Sequence, residues 1–304
     1  MNNGKIRLGV VGLSAGNGHP YSWSAICNGF DKAAMAKCPF PVIPEYLAAE
    51  KPAAFIQNAV VTHIWTQDKE ISAKVARASK IENIADSIGD MAGKVDGLLL
   101  ARDDAQNHYE MVREFINAGG NCPIYVDKPL AFNLADAQKI YALEKYEGQI
   151  FSCSAMRYAR EIEENIDKIK SLGNLSLINA VTMKRWDTYS AHIIDPVLRI
   201  IDEIAKTSTN IKTSQAFANA NSKGTMLVME TGLVVNLAAN KHSQNPVEIT
   251  MYGDKGNLRL ALTDTFYAFR GALQAFIRSI QAGKSEIPQS HVLKLVEIIE
   301  RGER

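Results

Sequence analysis

The chain has 304 residues, 46% of them hydrophobic and 22% charged, long enough for one large or two ordinary domains. Its 34 Lys and Arg balance 33 Asp and Glu to a net charge of +1, which removes the basic field a nucleic-acid or anionic-membrane binder would carry. Its longest apolar runs, such as GLVVNLAA at 232–239, are too short to span a bilayer, so no membrane segment is expected.

From the start, KIRLGVVGL reads as a strand running into the turn SAGNG, and YSWSAICNGFDKAAMA (21–36) as one helix with Trp23, Ile26, Cys27 and Phe30 on a face. Residues 37–58 carry prolines at 39, 41, 44 and 52 and read as an insertion, a candidate lid or subunit contact. AVVTHIWTQD is a second strand and KEISAKVARAS a helix. KVDGLLLAR is a strand, and NHYEMVREFINAGG a helix that stops on glycine. CPIYVDKPLAF, the helix NLADAQKIYALEKYEG opened by Asn133, and the strand QIFSCSAMRY complete the series. Apolar strands alternating with helices predict a doubly wound parallel sheet, with ligands at the strands' carboxyl ends.

After about residue 157 the pattern changes to β-rich segments: LSLINAVTMKRW, QAFANA, GTMLVMETGLVVNLAANK, and VEITMYGDKGNLRLAL with hairpin turn residues. Helices read at SAHIIDPVLRIIDEIA, TFYAFRGALQAFIRSIQAG and HVLKLVEIIERG. The expected architecture is α/β plus α+β. A Rossmann-type domain spans 1–157, and a domain on a large, open, mostly antiparallel sheet spans 158–304. The start at MNNGKIRLGVVG lacks signal-peptide architecture, and Cys27, Cys38, Cys122 and Cys153 form no C-x-x-C, so a cytoplasmic protein with reduced thiols is expected. The six histidines form no H-x-x-x-H or H-E-x-x-H pair, so no metal is expected.

The turn after the first strand offers two glycine patterns. G-x-G-x-x-G would need glycines at 12, 14 and 17, where the chain has Gly12, Ser14 and Asn17. Gly12, Gly16 and Gly18 instead fit G-x-x-x-G-x-G, the spacing of short-chain dehydrogenases, whose Tyr-x-x-x-Lys pair is echoed by Tyr141 and Lys145. Their Asn-Ala-Gly turn is spelled by 117–119, but here it ends a helix, and Lys128 and its neighbours fill the place of the catalytic serine. On its own the turn binds a dinucleotide through backbone N–H groups, or only shapes the chain.

Five further motifs run in order along the chain. His108 and Glu110 open a helix after a strand and loop; Asp127-Lys128-Pro129 follows a strand; Arg157 and Tyr158 follow another; His192 and Asp195 form His-x-x-Asp; and GALQAFIRSIQAGKSEIP lies near the end. Together they resemble the glucose–fructose oxidoreductase, inositol dehydrogenase and MocA (Gfo/Idh/MocA) family over roughly the whole chain. Departures are Ser14 and Asn17 for glycines, Asp127 for the usual glutamate, and Thr188 where many members carry an acid, with Asp187 one place off.

The resemblance implies an NAD(P)-dependent oxidoreductase acting on a hydroxyl or ketone of a sugar, cyclitol or related polar molecule, as a homodimer or homotetramer. Lys128, locally just a lysine after a strand, becomes the general acid/base. His192 and Asp195, i and i+3 on a helix, join the catalytic set, the carboxylate orienting the imidazole. Expected cofactor contacts are Gly12, Ser14, Ala15, Gly16, Asn17, Gly18, Thr66, Asp68, Ala101, Arg102, His108, Asp127, Lys128 and Pro129. An acid such as Asp68 at the end of the second strand favours ribose hydroxyls, hence NAD, while Lys69 beside it leaves NADP open. Arg157, Tyr158, Arg185, Trp186, Asp187 and Thr188 are expected to face substrate. Two alternatives stand: a non-catalytic dinucleotide-binding sensor, and a short-chain-type enzyme using Tyr141 and Lys145.

Overall fold

The computed structural model describes residues 4–244 and 246–304. They pack into two compact units. The first comprises residues up to Ala131 with Asp136–Ser152 and Ala272–Gln289; the second comprises Phe132–Ala135, Cys153–Gly271 and Ser290–Arg304. After a brief excursion at Phe132–Ala135, the chain passes into the second unit at Cys153, beside the expected boundary at 157, and 272–289 return to the first. Apolar packing accounts for that return: the Phe276 ring lies 5.6 Å from those of Tyr125 and Phe151.

The first unit is built on six parallel strands. In chain order they are β1 (Ile6–Val11), β2 (Ala59–Trp65), β3 (Asn83–Ile84), β4 (Gly97–Leu100), β5 (Ile124–Val126) and β6 (Ile150–Phe151), arranged β3-β2-β1-β4-β5-β6. The crossovers are α1 (His19–Asn28), α2 (Lys32–Met35), α3 (Val42–Ala49), α4 (Lys69–Ala78), α5 (His108–Asn117) and α6 (Leu134–Tyr141). All four residues of β4 are buried, as in a strand covered on both faces, and each such leucine contributes about 1.5–3 kcal/mol. On α5, Val112, Phe115 and Ile116 recur at i, i+3 and i+4 and are buried.

The helix expected over 21–36 is two helices. Gly29, at φ +69°, ends α1, and the Asp31 carboxylate accepts the Ala34 N–H at 2.7 Å to cap α2. The insertion packs on α1. Tyr46 Oη meets Ser22 Oγ at 2.5 Å, and Phe40 and Ile43 stand within 2.6 Å of where a Cβ on Gly18 would lie.

The second unit carries α7 (Arg160–Glu163), α8 (Ile166–Ser171), β7 (Leu175–Met183), α9 (Trp186–Tyr189) and α10 (Ala191–Arg199), which continues as one π-helical turn, Ile200–Ile204. Five strands follow: β8 (Ile211–Ala218), β9 (Ser222–Met229), β10 (Val234–Asn240), β11 (Val247–Gly253) and β12 (Gly256–Leu262). The last helices are α11 (Thr265–Ala282) and α12 (Gln289–Glu303). The sheet order is β12-β11-β7-β10-β9-β8, antiparallel except between β7 and β10. Val235, Leu237 and Ala239 alternate inward along β10, and Ile193, Ile194, Val197 and Leu198 of α10 are buried. Among the described residues no helix is long and apolar enough to cross a membrane.

Candidate active site

Four adjacent strands of the first unit end on one edge of its sheet, and the loops after β1, β2, β4 and β5 carry the polar residues singled out above. The turn after β1 is close-packed at Gly12, where a Cβ would lie 2.2 Å from Pro20 Cγ. Gly16, at φ +79°, has nothing within 4 Å of its would-be Cβ, so the exposed tip Ala15–Gly16 is open to an approaching group.

Ser14 and Asn17, standing where glycines are usual, face inward. Ser14 Oγ donates to Asp103 Oδ1 at 2.7 Å, tying the turn to the loop after β4. Asn17 Nδ2 donates to Asp127 Oδ2 at 3.0 Å, and Asn17 Oδ1 accepts the His19 N–H at 2.7 Å. With that amide engaged, and Pro20 lacking an N–H, two first-turn positions of α1 are closed to an anion, leaving the tip amides of Ala15 and Gly16. The turn fits a dinucleotide by that open tip rather than by the helix's whole first turn.

Lys128 follows β5, across a cis Lys128–Pro129 peptide bond. Its side chain is buried, 4% exposed, and Nζ lies 3.7 Å from Asp103 Oδ2, the carboxylate that also accepts from Ser14. The amine therefore stands beside the glycine turn and not in bulk water. Asp127 is buried and accepts three donors: Asn17 Nδ2, the Lys128 N–H at 2.8 Å, and His19 Nδ1 at 2.5 Å. Burial alone would raise its carboxyl, but the charge of and hydrogen bond to His19, with Lys128 and Asn17, hold it below the usual carboxylate range. The His19 ring stacks on Trp23 (4.9 Å between centroids) and Trp23 on Tyr125 (4.8 Å).

The remaining first-unit positions divide between access and bracing. Asp68 Oδ1 caps α4, accepting from the Glu70 and Ile71 N–H groups, while its exposed Oδ2 has no partner among the described residues. Lys69 is paired with Asp86 at 2.6 Å. Thr66 is buried and its hydroxyl donates to the Asp68 carbonyl at 2.6 Å. Gln67, not anticipated, bonds both the N–H and the carbonyl of Leu13 and accepts from Arg102 Nη1. Arg102 is buried in a fork with Asp104, Ala101 is fully buried, and His108 has its two ring nitrogens on the Arg102 and Leu130 carbonyls. These last three brace the loops, and none is open to a ligand.

In the second unit, Asp195 is fully buried and accepts from the Ser154 N–H (2.7 Å), Arg157 Nη1 (3.1 Å) and His291 Nε2 (2.8 Å). Burial pushes this carboxyl up, yet the His291 hydrogen bond and the Arg157 charge hold it low. His192 Nδ1 is hydrogen-bonded with Ser154 Oγ at 2.9 Å, and Ser154 Oγ also accepts the Met156 N–H. The expected pairing of Asp195 with His192 is replaced by Asp195 with His291 and of His192 with Ser154. Arg157, expected to face substrate, is buried, with its Nη groups on Asp195 and Glu203. Tyr158 is buried beneath the Arg199 guanidinium. Trp186 is buried against Gly302, its indole N–H donating to the Ile299 carbonyl at 2.9 Å. Arg185 and Asp187 form an exposed fork, with Thr188 Oγ1 donating to Asp187. Lys184, at φ +62°, packs over Tyr189, whose ring meets that of His192 edge-on at 5.2 Å.

The short-chain alternative has no site. The Tyr141 hydroxyl is buried without a partner among the described residues, where burial pushes its pKa far up, and residues 117–119 lie at the end of α5.

Residues 6–154 match the model of GFO_IDH_MocA, an oxidoreductase family with an NAD-binding Rossmann fold. YceM of Salmonella typhimurium, described as an oxidoreductase, is 33% identical over 79 residues, 26% of this chain and 24% of that protein's length. The crystal structure of myo-inositol dehydrogenase from Lactobacillus casei with NAD(H) and myo-inositol superposes with a TM-score of 0.74, at 14% identity, covering 99% of this chain and 94% of that one. Apo scyllo-inositol dehydrogenase from the same organism gives 0.70 at 16% identity, covering 100% and 97%. A probable dehydrogenase from Thermotoga maritima gives 0.69 at 13%, covering 98% and 96%. At such identities the likeness is one of fold.

Proposed function

Through residues 6–154 this chain belongs to the GFO_IDH_MocA oxidoreductase family, and on that premise we propose that it is an NAD-dependent dehydrogenase or reductase of a polar substrate, a sugar or cyclitol, with Lys128 as general acid/base. The observation that carries this reading is the Lys128 amine, buried beside a carboxylate that the glycine turn itself holds. When bound, the dinucleotide would supply the hydride acceptor or donor. The amide groups of Ala15 and Gly16 would receive its diphosphate. The unpartnered Oδ2 of Asp68 suits a ribose diol and repels a 2′-phosphate, and Lys69 is spent on Asp86, which favours NAD over NADP.

Lys128 takes the substrate's hydroxyl proton in the oxidative direction and returns it to the forming alkoxide in the reductive one. Asp103 fixes the amine, and Asp127 fixes the backbone that carries it. In the second unit, the His192 imidazole, which meets Ser154 through Nδ1, is the further residue we assign to the catalytic set. Exposed Arg185 with half-buried Asp187 and Thr188 are the polar groups we assign to substrate selection. Inositols, the substrates named for the L. casei neighbours, are the first candidates.

The test is turnover at the nicotinamide absorbance band across inositols, sugars and their keto forms. Lys128→Ala is expected to lower kcat/KM by about 10²–10⁴-fold with NAD affinity nearly unchanged. A wild-type protein inert to every polyol and ketone, or a lysine variant as active as wild type, would refute the proposal.

A further inference from the structure

The first unit holds a cavity of about 520 Å³ between the α1, α2 and α4 layer and the first residue after Gly12. Leu13, Tyr21 and Ile71 give it apolar walls, and Lys37, Lys74 and Arg77 stand around it. The volume lies within the range of about 300–1,000 Å³ typical of small-ligand sites. Ile71, Lys74 and Arg77 recur every three residues along α4, so they line one helix face.

Two features point to a ligand. No acidic residue lines the cavity, and none of its three cations has a hydrogen-bond or ion-pair partner among the described residues. The three are exposed, and together they give the rim a positive field that would attract an anion. Inside, Tyr21 is 3% exposed, and its hydroxyl has no hydrogen-bond partner among the described residues. Burial pushes that phenol's pKa up to about 12, so it remains a donor at neutral pH. The hydroxyl opens onto the cavity, where a ligand oxygen would accept its proton.

We propose that this cavity is a second ligand site, separate from the dinucleotide turn, for a small amphipathic monoanion whose apolar body lies on Leu13 and Ile71 and whose carboxylate accepts from Tyr21 and meets the three cations. The site abuts the turn from behind: Leu13 gives its side chain to the cavity, while its N–H and carbonyl are held by Gln67. Occupation therefore leaves the open tip at Gly16 free.

The probe is 2-naphthoate, titrated calorimetrically into the intact protein with and without saturating NAD. We expect saturable one-to-one binding that persists in the presence of NAD. Tyr21→Phe should weaken it about fivefold, and Lys74→Ala with Arg77→Ala at least tenfold. Lys170→Ala, on α8 of the second unit, serves as control and should leave it unchanged. Three results would overturn the proposal: no saturable binding, competitive displacement by NAD, or equal loss in the control and cavity variants. 2-Naphthol, uncharged, should bind at least tenfold more weakly; equal binding would refute the role of the cations.

Discussion

Asp127→Asn isolates the network that fixes the segment carrying Lys128. The substitution keeps the volume and removes one acceptor. If the new amide oxygen replaces Oδ2, it still receives Asn17 and His19, and its NH₂ then faces the Lys128 N–H, donor against donor. If it replaces Oδ1, the NH₂ faces both Asn17 and His19. Turning Asn17 over to compensate would break its bond to the His19 N–H. Every arrangement leaves at least one buried donor unsatisfied, about 1–3 kcal/mol, and removes the charge from a charge-assisted pair. The sum is a destabilisation of about 2–4 kcal/mol, read as a lowered urea midpoint at unchanged slope.

The same variant has a pH signature. The Asp127 carboxyl lies below the usual carboxylate range in the folded protein. Its contribution is therefore complete above the unfolded value of about 3.9 and is lost as pH falls through the lower folded value. The stability gap between wild type and Asp127→Asn should be constant from neutrality to about pH 5 and should narrow below about pH 4. A gap under about 0.5 kcal/mol at pH 7, or one that widens in acid, would refute the assignment of these bonds.

Gly12→Ala places a Cβ against the rigid Pro20 ring and should weaken NAD binding at least about tenfold by calorimetry while costing about 1–3 kcal/mol in stability. Arg157→Met removes the cation beside fully buried Asp195 and should lower the denaturation midpoint by the equivalent of about 3–5 kcal/mol, larger than any effect on KM. Ser154→Ala removes the hydroxyl that meets His192 Nδ1 and so loosens the ring's orientation, and kcat should fall about tenfold in steady-state assays with NAD affinity intact.

Much of the fold was legible because its signals are local. Apolar strand runs such as Leu98–Leu100 and the stops at Gly119 and Gly120 mark the alternating units without tertiary information. The break at Gly29 carried its own stop glycine and capping Asp31, but the apolar spacing on either side masked them. The return of 272–289 to the first unit depends on Phe276 meeting Tyr125 and Phe151, a contact between distant segments. The site divides in the same way. Lys128 and the turn were found from strand ends, whereas His19 acquires meaning only from Asp127, 108 residues away, and His291 from Asp195, 96 residues away. Arg157 and Trp186 read as surface chemistry since a sequence does not reveal that Glu203 and the Ile299 carbonyl enclose them.

Ser14 and Asn17 give the turn after β1 a character unlike that of an all-glycine loop. A glycine loop samples many shapes and loses that freedom when its guest arrives; here side-chain tethers to Asp103 and Asp127 settle the loop's shape while the chain folds. Nucleotide capture should then involve little loss of backbone entropy, and the favourable enthalpy of a preset receptor should dominate its heat signature.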